Sequence, residues 1–394
     1  MRGLIVILVA AAAVSTEACM TLVVGKKVSA TGRVIVGHNE DDGTPLWIRH
    51  GIVPAADWPA GTCLPASAGC NAKIPQAAHT LGCYWSEVKF SCGDGNADSF
   101  LNERGVLVVS NSGAMSKEPM DDPTLVTDGG VKFNLRRVVG ERATSARDGA
   151  RLVCELVEKY GYAQSARIYT VADADEAWMV QVARGRSYAM VRCPDDQVTV
   201  MPNVYTVGRR SDFPEGAIFF SKGLVENAKR KGNWDGTGEF DFAAAYQGFW
   251  PNQPTNVFDC YPNSVGRSHQ AVRFLTGRDF PMRARLPFAV KPNRTISAAD
   301  LRTLLSSHNA PLKDGRHEFT TYSICAPSTI ESSVCEFGAT PKDATLFVAL
   351  GHGCEKPYLR FKPFDGGLPQ EMDQSSTAAE RLATHVEVLK FTQK

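Results

Sequence analysis

The richest chemistry in this 394-residue chain is at Cys19, because of what precedes it. Met1-Arg2 make a short basic start, and Leu4 to Val14 are uninterrupted apolar residues. Ser15-Thr16-Glu17-Ala18 then close with small residues where a signal peptidase reads. That apolar run falls short of the roughly 20 residues a bilayer requires, so residues 1–18 read as a signal peptide and not as a membrane anchor. A lipoprotein leader fits less well, since Thr16 and not Leu stands three residues before the cysteine. Cleavage after Ala18 makes Cys19 the first residue of the mature chain. A thiol there sits beside a free α-amine with an ordinary pKa of about 7.7–8.0, far below the ~10.4 of lysine. One residue then supplies both a nucleophile and a proton acceptor. The alternative is an ordinary cysteine or a disulfide partner near a terminus.

The chain has 11 cysteines. Setting Cys19 aside leaves Cys63, Cys70, Cys83, Cys92, Cys154, Cys193, Cys260, Cys325, Cys335 and Cys354, an even set that allows up to five bridges in an oxidising compartment. Spacing does not give their connectivity, although the quartet from Cys63 to Cys92 reads as a local staple. No Cys-x-x-Cys pair occurs and no His stands at zinc-like spacing from a cysteine pair, so no structural metal is expected. His352 and Cys354 come nearest, and read as a half-buried loop histidine beside a disulfide. A phosphate-binding glycine loop, a Gly-x-Ser-x-Gly elbow and a His-Glu-x-x-His helix are also absent, so no cofactor is expected.

Lys+Arg number 43 against 42 Asp+Glu, which leaves no global field to hold a phosphate backbone and argues against nucleic acid as a partner. With 43% hydrophobic and 22% charged residues the chain can bury a sizeable core without needing disulfides. No later stretch reaches membrane-spanning length. Asn293-Arg294-Thr295 is the one N-glycosylation sequon, usable if the chain is secreted by a eukaryotic cell. Lys229-Arg230-Lys231 reads as a solvated loop.

The elements that would position Cys19 begin with a hairpin, Met20–Val24 and Val34–Val36, around Gly25-Lys26-Lys27 and Thr31-Gly32. Residues 51–97 read as a Cys-, Gly- and Pro-rich loop. Val106–Val109 reads as a buried strand, and Thr144 or Ser145 caps a helix ended by Gly161. Strands follow at Arg167–Ala172, Ala177–Ala183, Tyr188–Val191 and Val198–Met201. Ser297, with Asp300 three residues on, starts another helix. Tyr322–Cys325 and Leu346–Leu350 read as further strands. Many strands with few, separated helices predict a layered α+β fold.

Cys19-Met20-Thr21, the hairpin and Gly37-His38-Asn39-Glu40-Asp41 together resemble the start of the cysteine dipeptidases of the N-terminal-nucleophile (Ntn) hydrolase superfamily. Asn102-Glu103-Arg104-Gly105-Val106, the segment from Glu155 through Glu176-Ala177-Trp178, and Arg192-Cys193-Pro194-Asp195-Asp196 with Asn203 are similar to that family in order and spacing. Leu286-Pro287-Phe288 and Glu331-Ser332-Ser333-Val334 continue the likeness, which covers nearly all of the mature chain outside 51–97. It implies a single catalytic domain over 19–394 with the four-layer αββα sandwich, the 51–97 stretch being an insertion. It also implies a dipeptide or small amide as substrate. Penicillin- and bile-salt-type acylases share the machinery, so an N-acyl amide is the alternative, and a non-catalytic scaffold that keeps the fold is another. Self-association is left open. The leader implies secretion, or the lumen of a lysosome- or vacuole-like compartment.

The resemblance also assigns roles. Cys19 is the nucleophile and its amine the base. Asp41 orients that amine, and Asn203 donates to the tetrahedral oxyanion. Asn111, with Ser112 adjacent, is a further oxyanion or substrate candidate. Arg267 or Arg273 corresponds to the family's late arginine near the thiolate. The chain departs at His38, where the family has Arg. Arginine stays charged at every working pH whereas histidine titrates near about 6.5, so a His38 facing the thiolate would tune activity to acidic pH, weaken it, or signal a different substrate.

Overall fold

A computed structural model describes residues 19–42, 46–64, 72–90, 95–281, 283–308 and 323–372. In chain order the first strands are β1 (Met20–Val24), β2 (Ile35–Asp41), β3 (Leu46–Val53), the short pair β4 (Ala56–Asp57) and β5 (His79–Thr80), β6 (Cys83–Phe90), β7 (Gly95–Asn102) and β8 (Leu107–Ser112). Then come β9 (Tyr162–Ala172), β10 (Ala177–Gly185), β11 (Tyr188–Arg192), β12 (Val198–Met201), β13 (Ile218–Phe220), β14 (Ala289–Val290), β15 (Thr329–Glu336), β16 (Thr345–Ala349) and β17 (Leu359–Phe361). The helices are α1 (Asn134–Arg142), α2 (Ala146–Tyr160), α3 (Leu224–Arg230), α4 (Phe242–Tyr246), α5 (Val257–Cys260), α6 (Pro262–Thr276) and α7 (Ala298–Leu305).

Two antiparallel sheets carry the fold. One runs β14-β12-β1-β2-β15-β16-β17, the other β13-β11-β10-β9-β8-β7-β6-β3. Period-two alternation divides every central strand between two cores. Val23, Val36 and Met201 of the first sheet and Val109, Ile168 and Met179 of the second share one cluster between the sheets. On the outer face of the first sheet, Met20, Leu22 and Ile35 pack with Ala271 and Leu275 of α6 and Leu301 and Leu304 of α7. On the outer face of the second, Val108, Tyr169 and Val180 pack with Val138 and Val139 of α1 and Val153 and Val157 of α2. Helix, sheet, sheet, helix is the four-layer αββα sandwich that the family resemblance implies.

Local signals explain several boundaries. The Ser145 hydroxyl accepts from the Asp148 N–H to start α2, and Gly161, at φ 75°, lets the chain leave it. Ser297 and Asp300 form a reciprocal capping box on α7. Gly25 ends β1 where any Cβ would lie 2.3 Å from the Pro194 carbonyl oxygen, so only glycine lets the hairpin close there.

The 51–97 stretch corrects the expectation of a loop. β3, β6 and β7 pair in register across it, from Trp47↔Lys89 to Tyr84↔Leu101. Aromatic and β-branched residues such as Tyr84, Trp85 and Val88 favour extended backbone and override the Gly/Pro-rich composition around them. Cys70 and Cys92 lie outside the described residues, as do residues 1–18. Cys63 is exposed and Cys83 buried. The predicted strand Tyr322–Cys325 is also corrected: Tyr322 lies outside the described residues, and 324–325 form a bend whose Cys325 N–H donates to Ser307 O.

Candidate active site

Cys19 stands at the head of β1, held between β12 and β2 near the middle of its sheet. It is 2% exposed. Its carbonyl faces donors: Arg267 Nη1 at 2.7 Å and Asn111 Nδ2 at 3.2 Å. Its thiol faces acids: Sγ lies 3.5 Å from Glu40 Oε2 and 3.8 Å from the Asp41 carbonyl. Burial pushes the thiol pKa well above its ordinary value, the charges of Glu40 and Asp41 push it further, and the hydrogen bond to the Asp41 backbone and the charge of Arg167 oppose them.

Arg267 organises the donor side. Its Nη2 donates to Asn203 Oδ1 at 2.8 Å and its Nε to the Asn263 carbonyl at 3.2 Å. Asn203 in turn donates through Nδ2 to Ser112 O at 3.0 Å. That bonding fixes which end of the Asn203 amide is which, and it leaves the second Nδ2 hydrogen for another acceptor. Asn111 Nδ2 also donates to Met201 O at 3.0 Å, so its Oδ1 must be the atom accepting the Thr21 hydroxyl at 2.5 Å.

That orientation determines a tautomer. The Thr21 hydroxyl, having given its proton to Asn111, can only accept from His38 Nδ1, 2.8 Å away. His38 Nε2 then faces Glu40 Oε2 at 3.2 Å. The same Glu40 oxygen lies 3.5 Å from the thiol, so Glu40 links Cys19 to His38. In the outer shell, a second buried pair, His50 Nε2 with Glu331 Oε2 at 3.3 Å, lies along the same strand ladder, where Glu331 pairs with Glu40.

Asp41 closes the acid side. It is 1% exposed, and among the described residues neither carboxylate oxygen makes a well-formed hydrogen bond. Burial raises its pKa to about 7, against the opposing charge of Arg267 and the nearby Thr329 hydroxyl, with Asp42 adding slightly to the rise. Thr329 is its partner across the β2–β15 ladder.

The fold thus gathers Cys19, His38, Asp41, Asn111, Asn203 and Arg267 within one hydrogen-bonded and electrostatic cluster. Arg273 is apart from it, largely exposed near Asp279 at 3.4 Å, one and a half turns further along α6. Of the two arginines the sequence left open, Arg267 is the one that meets Cys19, through its carbonyl. Asn293 is exposed in the loop before α7, with its N–H donating to Leu275 O. Thr21, Glu40 and Arg167 join the cluster without having been singled out. Thr21 was within reach of strand alternation, which puts residues 19 and 21 on one face.

A cleft of about 660 Å³ opens against this cluster, bordered by Ser112, Arg167, Asn203 and Arg267 and by the aromatic rings of Trp250 and Tyr261. As for metals, among the described residues one group offers three possible ligand atoms within 4.8 Å of one another: His308, Cys325 and Cys354. The two sulfurs are 3.5 Å apart, a proximity that spacing in the sequence did not reveal. His352 is buried nearby, with Nε2 on Pro327 O at 3.2 Å and Nδ1 3.4 Å from Glu355.

The model of peptidase family C69 matches residues 18–318, which takes in the whole cluster. The chain belongs to peptidase family C69. Membership makes it a peptide or amide hydrolase by descent. The chain is also similar to a probable dipeptidase of Latilactobacillus sakei, 25% identical over 354 residues that cover 86% of this chain and 72% of the relative. A probable dipeptidase of Salmonella dublin is 27% identical over 301 residues, 74% of this chain and 66% of the relative. Probable dipeptidase B of Streptococcus pyogenes serotype M1 is 28% identical over 255 residues, and there the chain spans only 47% of the relative's length. Among solved structures, penicillin V acylase from Agrobacterium tumefaciens aligns with 90% of this chain and 88% of its own at 12% identity and a TM-score of 0.44. A variant of conjugated bile acid hydrolase from Clostridium perfringens aligns with 89% and 95% at 10% identity and a TM-score of 0.39. The C69 assignment rests on the family match.

Proposed function

We propose that this C69 chain is a cysteine dipeptidase activated by cleavage after Ala18, with Cys19 as its N-terminal nucleophile. The observation that carries the reading is the buried Asp41 carboxylate, beside the thiol and with its pKa raised to about 7. Such a group has a large interaction to gain from a cation, and the α-ammonium of a freed Cys19 would supply one at the same residue as the thiol.

In the mechanism, the neutral α-amine takes the thiol proton as sulfur attacks the scissile carbonyl. The electron pair moves to the carbonyl oxygen, and the second Nδ2 hydrogen of Asn203 donates to the oxyanion. Arg267 fixes the Asn203 amide through Oδ1, so that donor stays oriented throughout. Collapse of the tetrahedral intermediate expels the leaving amine, which takes its proton from the α-ammonium, and leaves a thioester on Cys19. Water, deprotonated by the same amine, then releases the acyl product. Asp41 holds the amine in position through both halves. Glu40 and His38 pair beside the sulfur and contribute to the field in which the thiolate forms.

The leader supports a secretory route for the chain, and the exposed Asn293 is available to a glycosylating host. An N-acyl amide would use the same groups and differ only in what fills the cleft.

The test is N-terminal sequencing and intact mass of the secreted protein, with and without a thiol-alkylating reagent. A chain beginning at Cys19 whose dipeptide hydrolysis disappears on single alkylation is the expected result. A different first residue, or a blocked amine on an active enzyme, would defeat the mechanism.

A further inference from the structure

We propose that Cys325 and Cys354 form a disulfide that staples the turn between β16 and β17 to the bend before β15. The pairing stands on geometry and is independent of the dipeptidase reading above.

Proximity is the first observation. Both residues are thiols in the structure, and Cys325 Sγ donates to Cys354 Sγ at 3.5 Å. From there a small turn of two side chains reaches the disulfide bond length of about 2.05 Å. The backbone on each side holds the pair in place. Cys354 sits in the turn 353–355, which the N–H groups of Glu355 and Lys356 close on His352 O. Cys325 N–H donates to Ser307 O at 3.1 Å, and Ile324 N–H to Gln270 Oε1 at 2.9 Å. A second contact ties the same two segments, from His352 Nε2 to Pro327 O at 3.2 Å. The sulfurs therefore meet because two anchored segments meet. Both cysteines lie beyond residue 318, where the C69 match ends, so the staple is no part of what that match describes.

The bond forms by thiol–disulfide exchange with a disulfide-bearing oxidant, such as a secretory oxidoreductase or oxidised glutathione. Cys354, the exposed member, loses its proton to solvent and attacks one sulfur of that disulfide. The oxidant's S–S bond breaks, and its far sulfur leaves as a thiolate that takes up a proton. Cys325 then attacks the Cys354 sulfur and expels the oxidant's second sulfur. His308, with a ring nitrogen within 4.8 Å of both protein sulfurs, is placed to carry the Cys325 proton to that leaving thiolate. Two protein thiols are oxidised by two electrons, one disulfide is reduced to two thiols, and no net proton is released. The surface thiol attacks first because Cys325 ionises with difficulty: its hydrogen bond to Cys354 and its burial hold its pKa far above the ordinary value.

The staple braces the acid side of the site. Ile324 O accepts from Asn39 Nδ2 at 3.0 Å, and Ser328 O accepts from the Asp42 N–H at 2.9 Å. Thr329, whose hydroxyl accepts from the Ala326 N–H at 3.0 Å, faces Asp41 across the β2–β15 ladder. The bend that carries Cys325 thus grips β2 on either side of Asp41. A bridge across 29 residues of sequence restrains the unfolded chain and fixes that bend.

The experiment compares peptide maps, with and without reduction, of the secreted protein purified without reductant and alkylated before unfolding. A cross-linked peptide pair carrying Cys325 and Cys354, split by reduction, is the expected result. Protein recovered with both thiols free is expected to form the pair on incubation with oxidised glutathione. Both cysteines still taking the alkylating label after that incubation overturns the proposal. One zinc ion per chain, found by elemental mass spectrometry and lost on blocking these two thiols, overturns it in favour of a cation site on His308 and the two sulfurs. Cys354→Ser should lower the melting temperature by about 3–6 °C without reductant and by less than about 1 °C when both proteins are fully reduced. Equal melting without reductant overturns the bracing. None of these measurements reads hydrolysis, so a failure of the dipeptidase reading leaves them unchanged.

Discussion

The carbonyl and the thiol of Cys19 belong to one residue and sit in opposite surroundings. On the carbonyl side, Arg267 and Asn111 donate to one oxygen, and Arg267 reaches on to Asn203. On the thiol side, Glu40 and Asp41 crowd a buried sulfur and keep it protonated. The donor side is satisfied by groups the fold itself brings together. The acid side holds two carboxylates in a low-dielectric environment, and its balance improves with each positive charge that reaches it. Cleavage after Ala18 delivers such a charge on the proposed reading, so the difference between the two sides separates positioning from activation.

The comparison breaks first at the sulfur. Cys19→Ala should abolish turnover, by at least ~10⁴-fold in kcat with the melting temperature little changed, as read by dipeptide hydrolysis and calorimetry. Removing the acid that receives the amine is next. Asp41→Asn should cost on the order of 10²–10³ in kcat through a misdirected base. On the donor side, Asn203→Ala should lower kcat by ~10²–10³ with KM nearly unchanged, the mark of a contact made only in the transition state.

A smaller effect sharpens the electrostatics. In an uncleaved Cys19→Ala chain, Asp41 binds a proton up to about pH 7 in the folded state and gives it up near its ordinary value of 3.8 when unfolded. Because the folded state binds more protons in that interval, stability should fall as pH rises from about 4 to 7. Asp41→Asn in the same background should remove that fall, gaining a few degrees of melting temperature at pH 8 and nothing at pH 4. Identical pH slopes with and without the substitution would show that Asp41 is not the buried acid described above. Least of all, His38→Arg should alter the acid limb of the kcat/KM profile while changing the maximum by less than about tenfold, since Glu40 links His38 to the sulfur.

What was legible in the sequence followed from period two and from caps. The β1–β2 hairpin, β9 through β12 and the two capped helices could be read from alternation, Ser145, Gly161 and Ser297. α6 could not, although it supplies Arg267. Its buried face carries Ser264, Arg267 and Ser268 among Val265, Ala271 and Leu275, and polar residues turned inward to build a site dilute the apolar stripe that marks a helix. The 51–97 strands were hidden for a related reason, because a Gly- and Pro-rich connection between β3 and β6 dominated the local composition. At the site, Asp41 and Asn203 were carried by resemblance and Arg267 by an open choice with Arg273. The ring orientation of His38 toward Glu40 depends on the contact of Thr21 with Asn111, 90 residues away in sequence, which no local pattern encodes.

One feature of β1 bears on timing. Thr21 to Val24 ladder against β12 and Met20 to Val24 against β2, all five residues fully buried, and none of those pairings involves residues 1–18. On the proposed reading, Cys19 is thus aimed by strands drawn wholly from the mature chain, and what cleavage adds to the site is a single α-amine. The peptidase that removes the leader would then decide when hydrolysis begins, and active molecules would appear at the pace of that one cut.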